Sequence, residues 1–250
     1  MSSLTVKPPS LETGGGWRGP VDPRNYGGGG GRGDNVPPNY GERLRRCRLG
    51  LALALAAIVL LFVAFSATFL ARQRMRRLDT TTDTWTRDWQ PIPLPMRLLE
   101  LNTLVLLFSS ITSELARRQA TERAVLAPIA GIPGISLGPK HPVPWLAISA
   151  LSGAAFLGGQ ALAWHALLRE NLTPGSLPGS SFFYILTGAH AAHLLCGLLA
   201  LLYALAAMPL FGKTAEARRI VVDIAAWYWH AMAGLWVYVL AVLSYGNRLS

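Results

Sequence analysis

Charge is scarce in this sequence. Only 14% of its 250 residues are Asp, Glu, Lys or Arg, against about 25% in an ordinary water-soluble chain. A chain so poor in charge, with 51% hydrophobic residues, keeps much of itself away from water. Acids are scarcer than bases, 13 against 23. Such an excess of base can serve nucleic acid, an acidic partner or an anionic membrane surface. Here the arginines sit beside long apolar runs, and no single basic stripe carries stacking aromatics. That pattern favours a membrane and excludes a nucleic-acid partner. The two cysteines, Cys47 and Cys196, are too few for a disulfide framework, and isolated thiols are not a metal-site pattern. Phosphate-binding chemistry is missing too: neither a strand nor a Lys-Ser/Thr pair follows the glycine run 27–31. No Ser-His-Asp arrangement can be argued.

What the sequence does have is five long apolar runs. A spanning helix needs about 20 mainly apolar residues. Runs at about 49–70, 95–116, 145–168, 181–211 and 220–245 meet that requirement. Five in series are not the buried helices of a soluble protein, and the alternating ten-residue segments of a β-barrel are absent. The expected fold is an all-α integral membrane protein, a five-transmembrane-helix bundle over 43–250. Residues 1–42 are rich in Gly and Pro and cannot bury enough apolar surface to offset the entropy of ordering, so a disordered tail is expected there. Of the 23 Lys and Arg residues, 15 fall in the N-terminal tail and in the second-to-third and fourth-to-fifth connections, which share one side of the membrane. This predicts a cytoplasmic N-terminus and an outside C-terminus in a bacterial-type plasma membrane.

Lipid tails are as apolar as Leu, so membrane helices are joined by small residues and interhelical hydrogen bonds. Ala154 with Gly158, Ala155 with Gly159, Gly188 with Ala192, and Ala189 with His193 and Gly197 are spaced for packing faces. Asn102, Ser109 and Ser113 share a polar face on the second span that calls for a cover. Intramembrane histidines are functional candidates by default. His190 and His193 on the fourth span and His230 on the fifth suit hydrogen bonding across helices or to a headgroup. A b-type cytochrome using two of them as haem ligands is the rival reading, since such ligation needs one His on each of two helices at matching depth. A small transporter is the third, but neither inverted repeats nor interrupted helices are visible.

Several segments carry a more specific resemblance. The run 102–112 reads Asn-Thr-Leu-Val-Leu-Leu-Phe-Ser-Ser-Ile-Thr, after Pro91, Pro93 and Pro95. The run 181–193 reads Ser-Phe-Phe-Tyr-Ile-Leu-Thr-Gly-Ala-His-Ala-Ala-His. The run 223–230 reads Asp-Ile-Ala-Ala-Trp-Tyr-Trp-His and continues to Trp236, and Gln160 precedes Thr187 at a fitting distance. Over about 91–246 the chain resembles cytochrome c oxidase subunit III, the haem–copper oxidase subunit III, in its short five-helix form. The resemblance implies an accessory subunit of an oxygen-reducing respiratory complex, stabilising the catalytic subunit I and holding phospholipid. Haem and copper would belong to that partner, and this chain would have no cofactor, metal or catalytic residue. The residues implied for lipid or subunit contact are Asn102, Ser109, Gln160, Thr187, His190, His193, Asp223, Trp227, Trp229, His230 and Trp236. The chain departs from the family where Ala163 and Ala233 replace acids and where the first span lacks its Glu. Those departures point to a divergent relative, such as the subunit-III-like partner of a nitric oxide reductase.

Overall fold

The structure, a computed structural model, describes residues 40–79, 83–86, 89–90, 92–126, 144–207, 212 and 214–248. Five helices make up most of it: α1 Tyr40–Arg74, α2 Met96–Leu126, α3 Trp145–Arg169, α4 Pro178–Ala206 and α5 Ala215–Arg248. In lipid every backbone N–H and C=O must be satisfied within the chain, which leaves helices as the economical form for long apolar runs. All five are long and apolar enough to cross a membrane. Even the shortest, α3 with 25 residues, extends about 37 Å at 1.5 Å per residue. The fold is the expected all-helical, multi-pass membrane bundle.

The helices run past the expected spans at most ends. Arg43, Arg45, Arg46 and Arg48 are helical, as are Arg117, Arg118 and Arg123. A charged turn stays helical where the backbone bonds continue and the side chains reach the interface. The fourth span is the exception: α4 ends at Ala206, short of the expected 211, and residues 208–211 lie outside the described residues. So does the expected tail, up to residue 39. One element was not foreseen. After α1, strands β1 (Arg77–Asp79) and β2 (Thr84–Thr86) form an antiparallel hairpin with Leu78 opposite Trp85. Asp83 turns it with φ 52°, the left-handed conformation that Asp tolerates better than most residues.

The central helix is α5, which packs against α1, α2 and α4, while α3 packs against α2 and α4. In the most apolar stretch of α1 only 11% of residues are buried, against 44% in α5. The α1 helix is therefore a thinly covered flank of the bundle. Two of the predicted packing glycines meet neighbours. A Cβ on Gly159 would collide with the Asn102 amide, and one on Gly197 would come within 2.9 Å of Tyr228 and 3.0 Å of Trp229. Gly158 and Gly188 meet nothing within 4 Å, which corrects their assignment to packing faces. Four-residue spacing defines a face, but the large side chains decide which face turns inward. Here Phe156 and Gln160 turn one face of α3 inward, and His190 and Leu194 do so on α4; all four are buried.

Candidate functional site

The interior is organised around indoles. A buried Trp N–H has a single donor and needs an acceptor, and three are supplied from other helices. Trp229 on α5 is fully buried and donates to the Ser109 hydroxyl at 3.0 Å. Trp236 donates to Thr103 Oγ1 at 2.9 Å, and Trp164 on α3 donates to Thr187 Oγ1 on α4 at 3.0 Å. Ser109 and Ser149 exchange hydroxyl-to-carbonyl bonds of 2.8 and 2.9 Å between α2 and α3. Asn102 Nδ2 donates to the Phe156 carbonyl at 3.0 Å. The polar stripe of α2 is thus covered by α3 and α5 of the same chain. Buried among helices, such groups find their partners in the protein because lipid offers none.

A second cluster ties the N-terminal ends of α1 and α5 to the C-terminal half of α2. Asp223 on α5 is buried, and its carboxylate accepts two bonds of 2.8 Å from Arg48 on α1 and one of 3.3 Å from Arg117 on α2. Arg117 also grips Glu114 with bonds of 2.7 and 2.8 Å, and Arg118 adds another at 2.9 Å. His230 Nε2 lies 3.6 Å from the Glu114 carboxylate, and its Nδ1 pairs with the Ser110 hydroxyl. Bidentate Arg–carboxylate geometry makes these bonds the strong kind. Three arginines and two carboxylates thus form one network across α1, α2 and α5.

His190 occupies different surroundings. Its ring is fully buried with Trp236, Phe156 and Phe62 at centroid distances of 5.1, 6.1 and 6.3 Å. His193, partly buried, makes an edge contact with Phe62 and bonds its Nδ1 to the Ala189 carbonyl at 2.7 Å. The haem-ligand reading does not fit this arrangement. His190 is level with Trp236, six residues or about 9 Å along α5 from His230, and its ring is flanked by Phe62, Phe156 and Trp236. Among the described residues no group of three or more His, Cys, Asp or Glu is placed to hold a metal.

Of the eleven residues singled out from the sequence, Asn102, Ser109, Gln160, Thr187, His190, Asp223, Trp229 and Trp236 are buried within the chain. Their contacts are with neighbouring helices. His193 and His230 are partly exposed, and Trp227 is half exposed on α5. Sequence reasoning did not single out Thr103, Ser149, Gly153 or the Arg48–Arg117–Glu114 network. The available signal was that Glu114, Asp223, Arg48 and Arg117 fall at or near ends of helices that an up-and-down bundle brings to one side. A cleft of about 470 Å³ opens between α1, α4 and α5, lined by apolar side chains together with Arg43, Cys47, Cys196, Tyr203 and Tyr228.

No family model matches the chain. It is 31% identical over 150 residues to cytochrome bo(3) ubiquinol oxidase subunit 3 of Pseudomonas aeruginosa, covering 60% of this chain and 64% of the relative. It is 37% identical over 94 residues to cytochrome c oxidase subunit 3 of Corynebacterium diphtheriae, covering 37% and 45%. It is 28% identical over 158 residues to a probable cytochrome c oxidase subunit 3 of Nocardia farcinica, covering 62% and 70%. These relatives support the oxidase subunit 3 family. The chain spans under half the length of the Corynebacterium relative and just under two thirds of the Pseudomonas one.

Proposed function

We propose that the chain is an accessory, non-redox subunit III of a haem–copper terminal oxidase, in the short five-helix form, which stabilises catalytic subunit I and binds lipid. The supporting observation is a coincidence. The relatives are oxidase subunits 3, and the residues carrying the resemblance are those that interlock the bundle, with Trp229, Trp236, Asn102 and Thr187 bonded between helices. In this role the chain contributes surface rather than chemistry. Its complex is an oxidoreductase, haem and copper reside in subunit I, and Trp227 is our assigned contact for lipid or a neighbouring subunit. The cleft beside Arg43 suits an acyl chain with an anionic headgroup at its mouth, since apolar walls and a nearby cation complement both parts of such a lipid. We place the N-terminus on the cytoplasmic side and divide the chain into a tail, 1–42, and a membrane domain, 43–250.

Ala163 and Ala233, both buried where the resembled family has acids, favour a second reading as the subunit-III-like partner of a nitric oxide reductase. One experiment separates the two. The tagged chain is purified from its native membrane in mild detergent, and the co-purifying proteins are identified by mass spectrometry. A haem–copper oxidase catalytic subunit is expected, and the subunits beside it assign cytochrome c or quinol as donor. A nitric oxide reductase subunit would transfer the chain to the second reading. A chain that emerges alone and stable would overturn both.

A further inference from the structure

Among the described residues, Gln160 and His190 are two deeply buried side chains whose polar atoms all lack a hydrogen-bond partner. Each is at most 1% exposed, and none of the four polar atoms, both of the Gln160 amide and both of the His190 ring, makes a hydrogen bond within the protein. The two belong to the same level of the bundle. Trp164 is bonded to Thr187 and Phe156 meets His190, which fixes the antiparallel register of α3 and α4. Gln160 lies one turn from both Trp164 and Phe156 on α3, and His190 lies one turn from Thr187 on α4. Both are buried, and both therefore lie at about the same level, near the midpoint of the bundle. Leaving a buried amide unbonded is destabilising, and an imidazole in the same place adds to it. Native interiors meet such a demand with ordered water, which takes two to four polar partners.

We propose that Gln160 and His190 together hold internal water deep in the membrane-spanning bundle, bridging α3 to α4. A neutral imidazole offers one donor and one acceptor, and the amide offers both as well. A bridging water can therefore accept from one side chain and donate to the other without any ionisation. The rings of Phe62, Phe156 and Trp236 flank His190 and give this side of the site apolar walls.

The sign of a stability change tests this. Gln160→Met and His190→Phe each replace one polar group with an apolar one of similar shape. If water bridges the pair, each single variant strands its remaining partner and lowers Tm by several degrees in the purified, full-length protein. The double variant, with no polar group left to strand, then melts above at least one of the singles. If the groups are simply unbonded, each substitution removes a burden and Tm rises, which overturns the proposal. Independent of folding, water-edited solid-state NMR on the wild-type chain in lipid bilayers should show magnetisation transfer from water to the Gln160 side-chain carbonyl carbon and the His190 ring. Absence of transfer to both would refute a bound water.

Discussion

Replacing Gly153 with Ala tests the packing logic most directly, because a single methyl group is aimed at the centre of the bundle. A Cβ there would lie 2.5 Å from Cζ2 and 2.6 Å from Cη2 of Trp229, whereas carbon atoms rest about 3.5–4.0 Å apart. The indole would have to move by about 1 Å. It has little freedom to do so, since its N–H is bonded to Ser109 at 3.0 Å and its other edge lies against Gly197, where an added Cβ would come within 3.0 Å. Overpacking of this kind costs about 1–3 kcal/mol, and a weakened hydrogen bond adds about 1 kcal/mol. Alanine returns about 0.5–1 kcal/mol of helix propensity. The net loss is about 1–3 kcal/mol, or roughly 3–10 °C in Tm for a chain of this size, read by circular dichroism in detergent. Gly158→Ala, one turn and a little further along α3, meets nothing within 4 Å and should be neutral or stabilising. Trp229→Phe removes the two colliding atoms, so its cost should not add to that of Gly153→Ala. Equal melting of the two alanine variants would refute the clamp.

Two further substitutions probe the polar interior. Asp223→Asn leaves Arg48 and Arg117 facing a neutral amide where the carboxylate is only 4% exposed. Breaking such a pair costs about 3–5 kcal/mol when fully buried, and less here because Arg48 is half exposed. Arg118→Ala, at a site 69% exposed, should stay within about 1 kcal/mol, and thermal melting of the two compares them directly. Thr103→Val removes the acceptor of the Trp236 indole at nearly constant shape, and a loss of about 1–3 kcal/mol is expected for the stranded N–H. A melting point equal to wild type would mean that the indole finds another acceptor.

The bundle was legible in the sequence because its determinant is one-dimensional. Runs of about 20 apolar residues suffice to place a helix in lipid, and all five were found. The hairpin at Arg77–Asp79 and Thr84–Thr86 escaped because three-residue strands have no periodicity to detect. The polar stripe of α2 was legible as a face, but its partner was not. Asn102 and Ser109 were expected to need a cover, and that cover came from Phe156, Ser149 and Trp229 of the same chain, a pairing set by how helices far apart in sequence turn toward one another. Glycine spacing misled at Gly158 and Gly188 for the same reason. The ion network was missed because Arg48 and Arg117 were counted as signs of orientation, although each is also a ligand of Asp223.

The location of the signature residues bears on what the likeness to oxidase subunits means. Trp229, Trp236, Asn102 and Thr187 bond α2 to α5, α2 to α3 and α3 to α4, so their first duty is to the bundle. On the proposed function, the surface left for a partner is the outer one: the thinly covered α1 flank, half-exposed Trp227 on α5, and the cleft near Arg43. Those faces have no obligation to satisfy backbone or indole groups, and they are free to change with the partner. Identifying what co-purifies with the chain therefore addresses a different layer of the molecule from the one that carries the family resemblance.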